Sequence, residues 1–203
     1  MENTVSMLTE KLPVNTKETK NVSDGVIGMI FLLATEVMFF AGIISAYIVN
    51  RAGAMEWPPI GQPRLPIEIT AFNSLILISS ALIIYLFKKH FVANAGKNIS
   101  MKLLITTIFL GGIFLIIQGT EWIRLINYGL TTTSSLFGAF FYLIIGAHAL
   151  HVMVGLIILC YLYFSIKNSN TYYNSKNKIA ICSMYWYFVV GIWPAIYLLV
   201  YIM

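Results

Sequence analysis

The sequence predicts an all-α protein: a polytopic membrane bundle of five transmembrane helices, with its N-terminus in the cytoplasm and its C-terminus outside. Three observations carry this. Of the 203 residues, 59% are hydrophobic and 10% charged, where a soluble domain carries about a quarter charged residues; the mean hydropathy is +0.81. Five long apolar segments each reach the roughly 20 residues that a helix needs to cross a bilayer. The basic residues then divide unequally between the two sides that five crossings define.

Residues 1–25 form a polar head, with Lys11, Lys17 and Lys20 against Glu2, Glu10, Glu18 and Asp24. A secretory signal places an apolar run behind a positive start. The head has no such run and is read as a cytoplasmic tail. Residues 26–203 form the membrane domain, with spans at about 26–49, 69–87, 101–125, 136–166 and 179–203. None alternates apolar and polar residues as barrel strands do. The fourth is long enough to need tilt or a protruding end.

The head and the 88–100 and 167–178 loops share one side. That side holds Lys11, Lys17, Lys20, Lys88, Lys89, Lys97, Lys102, Lys167, Lys176 and Lys178. Arg51, Arg64 and Arg124 lie on the other side, which accounts for all 13 Lys and Arg. The positive-inside rule sets the lysine side in the cytoplasm. The net charge of +5 is therefore an inner collar that suits lipid headgroups, and it points to no nucleic-acid partner.

The outer loop EWPPIGQPRLPIE contains four of the six prolines and is held by ring stiffness more than by helix. Trp57 suits the membrane interface, and so does Trp122. Glu121 and Arg124, three apart at the end of the third span, read as a surface ion pair of small worth. Cys160 and Cys182 are isolated in apolar stretches and read as small buried residues. Gly111 and Gly112 in the third span, with Gly138, Gly146, Ala147, Ala149 and Gly155 in the fourth, allow close helix packing.

Ionisable residues inside a membrane span are functional candidates. Here they are Glu36, in LLATEVMFFAG, and His148 and His151, in GAHALHV. Glu36 lies about 15 Å from the inner end of its span and His148 about 18 Å from the outer end of its own, at 1.5 Å per residue. In a core about 30 Å thick the two depths nearly coincide, so Glu36 and His148 are expected to meet. The three-residue spacing puts both imidazoles on one helix face, and that face turns inward. Three roles stay open for the cluster: holding helices together, handling protons, or ligating a metal. Two histidines and one carboxylate fall short of the ligand sets of di-iron bundles, and no second histidine faces them to complete a haem site.

Four stretches taken together resemble subunit III of the haem–copper oxidases, of the cytochrome c and quinol oxidases alike. LLATEVMFFAGIISAY resembles that family's acidic helix. WPPIG followed by LPIEITAFNSLILISSA resembles its proline loop and the helix after it. FYLIIGAHALHVMVG resembles its paired-histidine helix, and YWYFVVGIWPAIYLLVY its closing helix. The order is right over nearly the whole chain. The resemblance implies a five-helix form without the first two helices of the seven-helix versions. It implies a subunit that is not catalytic alone and binds no haem or copper, those groups being on partner subunits. It implies direct packing on the catalytic subunit I, contact with other oxidase subunits, a structural phospholipid, and support for proton uptake and turnover in a bacterial plasma membrane. Glu36 matches the family's carbodiimide-reactive carboxylate, and His148 and His151 its histidine pair. In the last helix Trp186, Phe188 and Trp193 match, but Tyr187 stands for a histidine and Val190 for an aspartate. Trp57, Arg64 and Glu68 shape the outer loop. An accessory subunit of nitric oxide reduction is the related alternative. A small transporter or channel is the unrelated one, and it calls for inverted repeats or broken helices that the sequence does not display.

Overall fold

The computed structural model describes residues 23–93, 96–168 and 176–202; the polar head falls almost wholly outside them. Five helices follow one another: α1 (Asp24–Ala52), α2 (Ile67–Val92), α3 (Lys97–Asn127), α4 (Leu136–Asn168) and α5 (Lys176–Tyr197). All five are long and apolar enough to cross a membrane, as the sequence predicts. Except at the C-terminal end of α5, the helices reach or overrun the predicted spans, because helix formation does not stop where the lipid does. Lys88, Lys89 and His90 thus belong to the last turns of α2 and not to a loop.

The helix ends follow from local chemistry. α3 stops in a paired-hydrogen-bond cap: the Gly129 N–H donates to the Ile126 carbonyl and the Leu130 N–H to the Leu125 carbonyl, both at 3.0 Å. Such a cap needs a left-handed residue, and Gly129 supplies it with φ 92°. Leu130 and Leu125 are both buried, which is the apolar contact that accompanies this cap. α4 starts on Ser135, whose hydroxyl accepts from the Gly138 N–H at 3.0 Å, satisfying one of the orphan donors of a first turn. Pro194 lies inside α5 and removes the hydrogen bond that the Val190 carbonyl would accept. One turn later the chain widens into a π-helical turn at Leu198–Ile202, which tucks Val200 and Tyr201 inside.

Helices α2, α3, α4 and α5 each pack on the next, and α5 closes the ring on α2. α1 lies outside this ring against α5 and α4. Its 29 residues bury only Phe40 and Tyr47. Two fully buried indoles fill the ring and tie α5 to α2. Trp186 Nε1 donates to Ser80 Oγ at 3.1 Å, and Trp193 Nε1 donates to Ser74 Oγ at 2.7 Å. Trp186 fits because α3 and α4 offer glycine where it passes. A Cβ on Gly111 would stand 2.6 Å from its ring, and one on Gly155 2.9 Å. The expected glycine packing therefore divides. Gly111, Gly155 and Gly138 are close approaches, Gly146 is in ordinary contact, and Gly112 faces open space.

Candidate functional site: a carboxylate–imidazole pair between α1 and α4

His151 on α4 reaches across to α1. Its Nε2 lies 2.8 Å from Glu36 Oε2, and its Nδ1 lies 2.7 Å from the Ala147 carbonyl one turn back. A carbonyl only accepts, so Nδ1 carries a proton. Nε2 then has two options. It donates as part of an imidazolium to the Glu36 carboxylate, or it accepts from a neutral Glu36 carboxyl. In both cases one proton lies between the two side chains, and moving it along a 2.8 Å contact exchanges a charge pair for a neutral one. Phe40 packs edge-on against the imidazole at 5.1 Å, which shields one flank. The other flank opens to a groove of about 260 Å³ between α1, α4 and α5, lined by Leu32, Glu36, Leu150, His151, Val154 and Tyr185 among others. The side chains keep 24% and 13% exposure for Glu36 and His151, so the pair borders the apolar surface of the bundle.

His148 does not meet Glu36, and this corrects the pairing expected from depth. Residues three apart differ by only about 4.5 Å in height, so depth alone could not choose between the two histidines. They also differ by about 60° around the axis at 3.6 residues per turn. Here that angle separates two neighbourhoods. His151 turns to α1, and His148 turns into the ring, where it is 1% exposed. His148 stacks on Trp193 at 4.8 Å with Phe114 edge-on at 6.0 Å. Among the described residues neither of its ring nitrogens has a hydrogen-bond partner. The two histidines therefore do not form one polar seam.

The remaining positions fall into three places. Trp57 turns inward from the outer loop. Its Nε1 donates to Tyr47 Oη at 3.0 Å, and its ring meets Phe137 edge-on at 5.5 Å. Arg64 borders a cavity of about 250 Å³ with Tyr47, Trp57, Phe137 and Tyr201, whereas Glu68 sits exposed in the first turn of α2, where a carboxylate suits the helix dipole. In α5, Trp186 and Trp193 are core. Phe188 packs toward Phe40 at 6.4 Å. The Tyr187 hydroxyl has no partner among the described residues.

One polar feature was misread in the sequence and another went unread. Glu121 is 3% exposed, while its partner Arg124, at 3.2 Å, keeps 62% side-chain exposure. The ion pair is thus half buried, with the carboxylate as the buried half. One turn earlier, Gln118 Nε2 donates to the buried Tyr201 Oη at 3.1 Å. The spacing of Gln118 and Glu121, three apart like the histidines, was the available signal. Among the described residues no three His, Cys, Asp or Glu side chains converge as a metal site would require. Cys182 is buried, Cys160 half-buried, and both are free thiols.

The comparisons with known proteins agree with one another. The model of the family described as "Cytochrome c oxidase subunit III" matches residues 7–203. A "Cytochrome c oxidase subunit 3" of Synechocystis sp. is 31% identical over 177 residues, covering 87% of this chain and 74% of the relative. One from Thermostichus vulcanus is 31% identical over 183 residues, covering 88% and 87%. One from Corynebacterium diphtheriae is 30% identical over 179 residues, covering 86% of each.

Proposed function

Because this chain belongs to the cytochrome c oxidase subunit III family, we propose that it is the non-redox subunit of a proton-pumping terminal oxidase in a bacterial plasma membrane. Its lysine-rich side faces the cytoplasm. It packs directly on the catalytic subunit I, beside the other oxidase subunits, and haem and copper stay on those partners. It holds structural phospholipid against its helices. Its work is to keep the catalytic subunit intact through turnover and to support proton uptake, with the Glu36–His151 pair as the proton-exchanging element. Trp57 holds the outer loop against the bundle.

The observation that supports this reading best is the 2.8 Å contact between Glu36 and His151. It joins the most weakly attached helix to the ring and can shift a proton. His148, walled in by Trp193 and Phe114, acts as packing. Glu36→Leu in the purified oxidase tests the proposal. Haem content is expected to stay normal while activity decays faster over repeated turnovers and proton uptake slows. An oxidase that turns over and takes up protons like the wild type contradicts the role given to the pair.

A further inference from the structure

The loop between α1 and α2 carries chemistry that the fold itself does not use. Arg64 is exposed and borders the cavity of about 250 Å³ at this end of the bundle. Its guanidinium makes no ion pair among the described residues, whereas Arg124 lies 3.2 Å from Glu121. Tyr47, in the wall of the same cavity, is 1% exposed. Its Oη accepts from Trp57 Nε1 at 3.0 Å, and a phenol that accepts in this way still has one proton to donate. Trp57, Phe137 and Leu65 make the rest of that wall apolar. Further along the loop, Met55 and Ile60 are 105% and 87% exposed. Both lie outside the five spans, so lipid tails do not cover them. Large apolar side chains left bare in such a place mark a contact surface, and Arg, Tyr, Trp and Met are residues that protein interfaces favour.

We propose that this loop and cavity receive a carboxylate-bearing segment of another oxidase subunit. An Asp or Glu side chain enters the cavity and accepts from the Arg64 guanidinium, whose fork suits a carboxylate, and from the Tyr47 hydroxyl. The residues beside it cover Met55 and Ile60. Charge complementarity selects an acidic group, because a guanidinium without an ion pair stands beside apolar and aromatic walls. Size selects a side chain. A cavity of about 250 Å³ falls below the roughly 300–1,000 Å³ of sites for drug-sized ligands, and a phospholipid is larger than those. The exposed apolar loop residues select a polypeptide over a free anion, which would leave them bare. The inference rests on the reading of this chain as an oxidase subunit and adds the place and the chemistry through which a partner engages it.

A photo-crosslinker on the loop tests the surface in native membranes, with the whole complex present. In Ile60→p-benzoylphenylalanine, illumination is expected to join this chain to one other subunit, and peptide mass mapping should place the adduct beside an Asp or Glu of that subunit. Adding Arg64→Gln should lower the yield about tenfold, as loss of a charge-assisted hydrogen bond does. Arg64→Asp should abolish it, and changing the mapped acid to Arg in that background should bring it back. This restoration also shows that Arg64→Asp leaves the chain folded. An adduct on phospholipid alone, on a second copy of this chain, or on a segment without an acidic residue overturns the proposal. So does the absence of any adduct, a yield that Arg64→Gln leaves unchanged, or a charge swap that restores nothing. Haem copurifying with the unsubstituted chain reads the oxidase assignment separately.

Discussion

Replacing Glu36 by Leu removes the hydrogen-bond partner that α1 offers to His151, and the structure sets the size of the loss. His151 Nδ1 remains on the Ala147 carbonyl, so only Nε2 is orphaned. A hydrogen bond to a charged group contributes about 1.5–3 kcal/mol, and a buried group left unpaired costs about 1–3 kcal/mol. At 24% and 13% side-chain exposure the pair borders lipid, which offers no replacement partner, so the upper half of that range applies. Glu36→Leu and His151→Leu should therefore each destabilise by about 2–3 kcal/mol. The double variant should not cost about 4–6 kcal/mol, the sum. It leaves no orphaned donor or acceptor between the helices, and replacing both partners by apolar groups is nearly neutral. Its cost should fall to about 1 kcal/mol, a large coupling of the kind that a double-mutant cycle isolates. Glu36→Gln keeps an amide that can donate or accept and should cost about 1 kcal/mol or less. Reversible unfolding of the purified chain in mixed micelles gives all four values. Additive single and double variants would refute the claim that the pair is what joins α1 to α4.

Three other expectations follow from the same geometry. A lipid-soluble carbodiimide should reach Glu36 through the groove beside Leu32 and Val154 and label the wild type, as peptide mass mapping reads, but not Glu36→Gln; equal labelling contradicts the exposure of that carboxylate. Gly155→Ala and Gly111→Ala drive a methyl against the Trp186 ring and should each cost about 1–3 kcal/mol, while Gly112→Ala, which meets open space, should be close to neutral in the same unfolding measurement. Arg124→Gln leaves the buried Glu121 carboxylate without its partner and should destabilise more than Glu121→Gln, which removes the buried charge; the reverse order in thermal unfolding contradicts the burial.

The five helices were legible because a bilayer imposes one simple requirement, apolar length, and the sequence meets it five times. Lysines collect at alternate loops, and that asymmetry is what carries the expected sidedness. Pairing between helices was less legible. His148 and His151 lie on one side of α4 only at coarse angular resolution. The bulk of Trp193 and Phe114 fills the space on the ring side, and α1 fills the other, and neither neighbour is encoded in the spacing of the two histidines. Glu121 was misjudged for a related reason. Its place near a helix end reads as surface, yet the π-helical turn after Pro194 brings Tyr201 inward and closes over that end. Gly111 and Gly155 could be suspected as close approaches, but only the position of Trp186, some 30 residues or more away in sequence, separates them from Gly112. Composition and period fix what crosses the membrane, whereas side-chain volume on other helices fixes which polar group finds which.

The most direct measurement of the central claim is what leaves the membrane with this chain. Mild-detergent extraction through a tag on the chain should bring out a complex that absorbs as haem and reduces oxygen, while the same chain expressed without its partners should carry no haem absorbance. A haem-free oligomer that moves solute across liposomes would contradict the account.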